Sequence, residues 1–173
     1  MDGERTRRYE ALVLPHLDAA YNLARWLTGS GQDAEDVVQE AFLRAFRFMD
    51  SMQGESARAW VLTIVRNTAM SWLKDGRASS ATREFDEARH GRSHNDGPEA
   101  LLEGKDERGL VNAALRRLPV EFREVLILRE IEDLSYREIA QAAGIPVGTV
   151  MSRLSRARKE LGKLLAKEDC DGH

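Results

Sequence analysis

The stretch that decides the fold is Ser135–Leu161, with the sequence SYREIAQAAGIPVGTVMSRLSRARKEL. Its pattern is typical of two helices joined by a tight turn. Ser135 suits a helix N-cap, and Glu138 three residues later completes a capping box. Gly144 suits the left-handed position that ends a helix, and Pro146 favours the start of the next one. This order of residues predicts a helix-turn-helix.

The second of these helices has one apolar side and one polar side. Its apolar stripe, at helical spacing, consists of Val150, Leu154, Ala157 and Leu161. The opposite face and its flanks carry Ser152, Ser155, Arg156 and Lys159 with Met151, Arg153 and Arg158. Residues 135–163 have a net charge of +4 in a chain whose total is −3. In a helix-turn-helix this face enters the major groove, so the pattern favours DNA binding over a plain helical hairpin with a solvated basic face.

The composition excludes several classes of protein. The chain has 173 residues, of which 42% are hydrophobic and 32% charged, which suits one or two packed helical domains. A single cysteine, Cys170, excludes an internal disulfide and fits a reducing compartment. The charged N-terminus resembles no signal peptide, and no apolar run is long enough to span a bilayer. We therefore expect a soluble cytoplasmic protein with no membrane contact of its own.

No pattern indicates catalysis or a bound cofactor. The chain lacks a P-loop, a dinucleotide fingerprint, an HExxH motif and a GxSxG motif. The histidines are scattered, at His16, His90, His94 and His173. Pairs such as Cys170 and His173 have the spacing of metal ligands, but two ligands make a poor site. The sequence therefore predicts no catalytic residue, no metal and no cofactor.

Helical periodicity occurs on both sides of a polar segment. Residues 1–75 predict an N-terminal helical domain, and residues 98–173 predict a C-terminal domain that contains the helix-turn-helix. Between them, residues 76–97 lose the apolar periodicity and are rich in Arg, Ser, Asp and Gly, which indicates a flexible linker. The predicted fold is all-α, with two small helical domains joined by this linker.

Three local expectations accompany this organisation. Asp33 is expected to cap the second main helix of the N-terminal domain, and Phe48 to belong to the core face of that helix. Pro119 is expected to begin a helix that runs through Glu132 and buries Ile131.

Several segments also resemble a known family. SYREIA, GIPVGTV and SRLSRAR are similar to the C-terminal domain of extracytoplasmic-function sigma factors of bacterial RNA polymerase. Leu118–Ser135 (LPVEFREVLILREIEDLS) resembles the helix that precedes this motif. Asp33–Arg47 (DAEDVVQEAFLRAFR) and Ala57–Asp75 (ARAWVLTIVRNTAMSWLKD) resemble helices of the N-terminal domain. The resemblance covers most of the chain, in the family's order.

The resemblance implies that the chain docks on core RNA polymerase, reads two promoter elements and is controlled by an anti-sigma factor. For the duplex −35 element it implies the helix face already described: Ser152, Ser155, Arg156, Met151, Arg153, Arg158 and Lys159. Met151 departs from the family, which often has a basic residue there. For the melted −10 strand it implies a pocket formed by residues 49–56 and contacts from Asn67, Arg66, Lys74, Arg58 and Gln53. For polymerase docking it implies the acidic helix start: Asp33, Glu35, Asp36, Gln39 and Glu40.

Trp60 and Trp72 are assigned to the core of the N-terminal domain rather than to base stacking. Two other functions stay open at this point. One is a helix-turn-helix regulator that binds a palindrome as a dimer. The other is a sigma mimic that only sequesters an anti-sigma factor.

Overall fold

The computed structural model describes residues 2–52, 56–76 and 107–171. All regular structure in these three segments is helical, as the sequence predicted. The predicted linker beyond residue 76 lies outside the described residues. None of the described helices is both long enough and apolar enough to cross a membrane.

In the N-terminal half, the described residues form four α-helices and two short 3₁₀ turns. Pro15 lies in the first 3₁₀ turn, which separates the first two α-helices. The elements are α1 (Asp2–Leu12), a 3₁₀ turn (Leu14–His16), α2 (Leu17–Thr28), α3 (Gly31–Arg47), a 3₁₀ turn (Met49–Ser51) and α4 (Ala57–Lys74).

The corner between α2 and α3 differs from the expected one. Gly29 ends α2 in the left-handed conformation, with φ of 82°. Ser30 then caps α3, because its Oγ accepts a hydrogen bond from the backbone N–H of Asp33. The expectation that Asp33 caps this helix is therefore wrong. Asp33 lies inside the first turn and is only 3% exposed.

The core of the N-terminal half lies between α2, α3 and α4. Leu23, Val37 and Leu62 are fully buried there. Phe48 does not join this core, because the backbone leaves the helix after Arg47, and the Phe48 ring is 51% exposed. Met49 occupies the buried position instead, with no exposed surface. The assignment of Phe48 to the core face of α3 is therefore wrong.

In the C-terminal half, residues 107–171 form four α-helices, one of which ends in a π-turn. They are α5 (Glu107–Arg117), α6 (Val120–Leu126, continued by a π-turn at Ile127–Ile131), α7 (Tyr136–Ala143) and α8 (Val147–Asp171).

The π-turn changes which residue of this segment is buried. The backbone N–H of Glu132 donates to the Ile127 carbonyl at 2.9 Å, which adds one residue to the helical turn. Ile131 is consequently 46% exposed, whereas Glu132 is only 4% exposed. The expected burial of Ile131 is wrong, since the prediction assumed an uninterrupted α-helix.

The helix-turn-helix forms as the sequence predicted. The Ser135 N–H donates to Glu138 Oε1 at 2.8 Å, and the Glu138 N–H donates to Ser135 Oγ at 3.1 Å. Gly144 ends α7 in the left-handed conformation, with φ of 70°. Val150, Leu154 and Ala157 of α8 are buried beneath α6 and α7.

The two halves pack directly on each other. Helix α4 lies against α7, and α2 lies against α6. Buried apolar residues from both halves form one continuous core. No motif in the sequence predicted this contact.

Candidate nucleic-acid interface

One face of α8 is open to solvent along the predicted DNA-reading stretch. Met151 is 54% exposed. Ser152, Ser155, Arg156, Arg158 and Lys159 are also exposed, and Arg153 is half-buried. The Ser152 hydroxyl donates to the Thr149 carbonyl at 3.1 Å, so its lone pairs remain directed outward as acceptors. The buried stripe beneath fixes this face, because α8 cannot rotate without exposing its apolar side.

One cation of this face is engaged within the chain. Arg158 donates to Glu130 Oε1 at 2.8 Å, and both side chains are about half exposed. This hydrogen bond is the main reason why the pKa of Arg158 is raised above its ordinary value.

A second candidate surface is an open pocket of about 260 Å³ in the N-terminal half. It is lined by Arg44, Phe48, Ser51, Trp60, Ile64 and Asn67. The structure therefore brings Asn67 together with Ser51 of the predicted pocket loop. Residues 53–55 of that loop, including Gln53, lie outside the described residues.

Three of the lining residues were missed at the sequence level. Phe48 had been placed in the core, but it is 51% exposed and lines the pocket. Trp60 packs half-buried against the core, as its assignment implied, and also lines the pocket. Arg44 carried a detectable signal, since its spacing from Glu40 predicts an ion pair on one helix face. That pair is present at 3.1 Å. Trp72 is half-buried, as its assignment to the core implied, and its indole N–H donates to Glu40 Oε2 at 2.6 Å.

Two predicted DNA-contacting cations are instead paired with the C-terminal half. Arg66 forms two hydrogen bonds with the carboxylate of Glu124, a side chain with no exposed surface. Arg58 donates to Glu132 Oε2 at 2.6 Å, and Asn22 donates to the other oxygen of that carboxylate at 3.1 Å. In this arrangement both guanidinium groups are engaged by carboxylates, with 37% of the Arg58 side chain and 20% of the Arg66 side chain exposed.

These interdomain pairs extend to neighbouring groups. Arg66 also donates to Asn67 Oδ1 at 3.2 Å, so the pocket amide is linked to the Glu124 contact. Arg123 of α6 donates to the Trp26 carbonyl of α2 at 2.7 Å. Lys74, at the end of α4, is exposed.

One histidine lies beside this contact. Burial lowers the pKa of His16 below its ordinary value, and the positive charge of nearby Arg58 lowers it further. His16 is therefore held in its neutral form more strongly than a solvated histidine.

The acidic start of α3 divides into exposed and engaged residues. Glu35, Asp36 and Gln39 are exposed and can meet a partner. Asp33 is buried, and Glu40 is directed to Trp72 and Arg44, so these two of the five predicted docking residues are engaged within the chain.

An apolar residue accompanies the exposed group on α3. Leu43 is 71% exposed and lies four residues after Gln39, on the same side of the helix. Sequence reasoning missed it, because an apolar residue in a helix is ordinarily assigned to the core. Within the described segments, no group of three or more His, Cys, Asp or Glu side chains is arranged to hold a metal ion.

Two family models match the chain. The Sigma-70 region 2 model matches residues 12–79, and the Sigma-70, region 4 model matches residues 108–161. The first match contains the pocket and the exposed acids, and the second contains the helix-turn-helix.

Whole-length relatives agree with these matches. The RNA polymerase sigma-H factor of Pseudomonas aeruginosa is 34% identical over 167 residues, covering 92% of this chain and 86% of that protein. The ECF RNA polymerase sigma-E factor of Escherichia coli is 36% identical over 163 residues, covering 90% and 85%. The ECF sigma factor SigE of Mycolicibacterium smegmatis is 33% identical over 166 residues, and the chain spans 63% of that longer protein.

The chain is also similar to solved structures over most of its length. The sigma factor RpoE bound to the anti-sigma factor NepR, from Bartonella quintana, has a TM-score of 0.70, 27% identity, and 92% and 98% coverage. CnrH bound to the cytosolic domain of CnrY has a TM-score of 0.67, 28% identity, and 94% and 90% coverage. The chain therefore belongs to the extracytoplasmic-function sigma factors, the transcription initiation factors that act with RNA polymerase.

Proposed function

We propose that this sigma factor presents the exposed face of α8 to the duplex −35 element and its N-terminal pocket to the melted −10 strand. The observation that carries the proposal is the separation of two polar surfaces, one in each half of the chain. One is a helix face above a buried stripe, and the other is a pocket with an amide and two aromatic rings.

At the −35 element, the exposed face divides into base contacts and phosphate contacts. Arg156 carries two parallel donors that match the O6 and N7 acceptors of guanine. Ser152 and Ser155 are short and pair with several bases, so they add little discrimination. Arg153, Arg158 and Lys159 contact phosphates, which position the helix without specifying sequence.

At the −10 element, the pocket receives an unstacked base. Phe48 and Trp60 supply aromatic surfaces for stacking. Asn67 supplies its Nδ2 as a donor, while its Oδ1 accepts from Arg66. Arg58, Arg66 and Lys74 follow the phosphates of the displaced strand.

This proposal requires the two halves to separate. Arg66 and Arg58 can turn their whole guanidinium groups towards phosphate after they leave Glu124 and Glu132. Polymerase and promoter favour the separated form, since phosphates replace the lost carboxylates.

The exposed acids of α3 supply the docking surface. Glu35 and Asp36 complement a basic partner and steer association, and Leu43 adds an apolar contact at the same site. An anti-sigma factor is a further partner. This part of the proposal is supported by the relatives RpoE and CnrH, which were crystallised with NepR and with the cytosolic domain of CnrY.

The test is to mix the purified chain with core RNA polymerase and to measure co-elution and promoter-dependent transcripts. We expect both. A dimer that binds a palindrome alone and never joins the polymerase would indicate a conventional regulator. Binding to an anti-sigma factor without transcription would indicate a sigma mimic.

The Asn67→Ala variant tests the pocket within this proposal. We expect it to impair promoter opening, measured by permanganate reactivity of unpaired thymines, while co-elution with core polymerase is unchanged. Normal opening by this variant would contradict the role of Asn67.

A further inference from the structure

The pocket beside Asn67 has a second polar wall that no sequence motif assigned. Arg44 of α3 lines it, next to the ring of Phe48. The Arg44 side chain keeps 40% of its surface exposed, so a ligand in the pocket can reach the guanidinium. We propose that Arg44 reads a base of the melted −10 strand and that Glu40 and Trp72 hold its guanidinium in the reading position.

The guanidinium of Arg44 is fixed by contacts from two helices. One terminal nitrogen donates to Glu40 Oε1 at 3.1 Å, and the other donates to Thr68 Oγ1 at 3.4 Å. Thr68 uses its own hydroxyl hydrogen on the Ile64 carbonyl at 2.7 Å, so towards Arg44 it can only accept. Trp72 fixes Glu40 in turn, through its indole N–H at 2.6 Å. These contacts remove the rotamer freedom that a surface arginine ordinarily keeps.

The guanidinium has donors left for a ligand. Arginine carries five N–H donors in a planar fork. Within the described residues, Glu40 and Thr68 each take one of them. Arg44 lines the pocket with 40% of its side chain exposed, and the other polar lining residues are Asn67 and Ser51. While Asn67 Oδ1 accepts from Arg66, the group that Asn67 offers is also a donor, its Nδ2.

Arg44 and Asn67 both offer donors, so they favour a base that presents neighbouring acceptors. Ser51, the third polar lining residue, donates its hydroxyl hydrogen to the Phe48 carbonyl at 2.6 Å, so its oxygen accepts from an amino group of the same base. Guanine offers O6 and N7, and cytosine offers O2 and N3. Adenine places an amino donor beside its acceptor, so one of its own donors would face a donor of the guanidinium. Phe48, at 51% exposure, provides the apolar surface on which the chosen base stacks.

This inference rests on the proposed −10 role of the pocket and reassigns Glu40. Glu40 becomes a positioning residue for strand recognition, acting through Arg44, and not a polymerase contact. Its 30% exposure and its two engaged oxygens are consistent with that role.

The test uses the holoenzyme formed by this chain and core polymerase. It is incubated with a single-stranded DNA library of randomised bases, and the bound sequences are read. We expect cytosine or guanine to be enriched at one position. Arg44→Gln should shift that position to adenine by about tenfold, because glutamine pairs with adenine. Arg44→Lys should lose the preference, since it keeps the charge but lacks the planar fork.

Two further variants separate positioning from a general loss of charge or fold. Glu40→Gln keeps an oxygen for the Trp72 indole but turns a donor towards Arg44, so the base preference should weaken while co-elution with core polymerase is unchanged. Arg47→Gln is the matched control, because Arg47 is exposed on the same helix and does not line the pocket. Thermal unfolding of each variant verifies that it folds.

The possible outcomes are distinct. If Arg44→Gln weakens binding of the whole library without changing any base preference, the guanidinium contacts phosphate and the inference is overturned. It is overturned as well if Arg44→Gln behaves like Arg47→Gln while Asn67→Ala abolishes a preference. If neither Asn67→Ala nor Arg44→Gln changes any preference, the −10 role of the pocket itself fails.

Discussion

The two DNA-reading surfaces of this sigma factor differ in how free they are. The α8 face in the C-terminal half is exposed, and its central residues Ser155 and Arg156 are open to solvent. In the N-terminal half, Arg58 and Arg66 are engaged by carboxylates of the other half. The α8 face is therefore open to DNA in the isolated chain, whereas two cations of the N-terminal surface are engaged by partners within the chain.

The difference arises from the chemistry of the two contacts. A buried carboxylate such as Glu124 is stable only with a paired cation, so Glu124 and Arg66 hold each other in place. In the described structure, the α8 face pairs Arg158 with Glu130, and both of these side chains are about half exposed rather than buried. The contact between Arg66 and Glu124 therefore engages a cation of the N-terminal surface and also joins the two halves.

The largest expected effect comes from breaking this buried pair with Glu124→Gln. The change leaves Arg66 facing a neutral group, and removal of one partner of a buried pair typically costs about 3–5 kcal/mol. Because Arg66 keeps 20% exposure, we expect a loss of about 3 kcal/mol or less in the free energy of unfolding measured with urea. We also expect small-angle X-ray scattering to show a larger radius of gyration.

Glu121→Gln is the matched control for this prediction. Glu121 is exposed on the same helix, one turn earlier. If the Glu124 variant stays as compact and as stable as the Glu121 variant, the pair does not hold the two halves together.

The second prediction tests the exposed face of α8. Arg156→Ala should weaken binding of the holoenzyme to duplex −35 DNA by about 1–2 kcal/mol, because one base-edge contact is lost. Fluorescence anisotropy with a labelled duplex measures the change. Lys167→Ala removes an equal charge farther along α8 and should have little effect. An equal loss of core polymerase binding would mean that Arg156 does not belong to the DNA surface.

How much of this could be predicted depends on the range of the interaction. Ser135, Glu138 and Gly144 act within one helix–turn–helix unit, and the sequence alone predicted their roles. The resemblance located Asn67, whereas its neighbours Arg44 and Phe48 were missed, because a pocket is formed by residues from different helices.

The remaining errors concern contacts that periodicity cannot reveal. The π-turn exchanged the burial of Ile131 and Glu132, since one extra residue in a turn rotates everything that follows. The partners of Arg58 and Arg66 lie 74 and 58 residues away along the chain. No local pattern encodes a pair at that separation.

The third prediction concerns the ion pair between Arg158 of the α8 face and Glu130. Glu130→Ala releases Arg158, the one DNA-face cation that α8 pairs with an acid of α6 in the described structure. Both side chains are about half exposed, so we expect affinity for the duplex to rise by about 0.5 kcal/mol. The plot of log affinity against log salt should steepen by about one unit. Glu121→Ala, with the same change of net charge, should leave that slope unaltered.

The last prediction concerns how pH changes the stability of the chain through His16, which lies near Arg58. His16 has a pKa below the ordinary 6.5, chiefly because it is partly buried and also because Arg58 is near. Protonation therefore favours the unfolded chain, so stability is complete above about pH 6.5 and falls as the pH drops through and below that value. His16→Asn should flatten this fall in urea unfolding curves, whereas His90→Asn, a histidine of the predicted linker, should not. If both variants retain the full pH dependence of stability, a group other than His16 causes the loss of stability in acid.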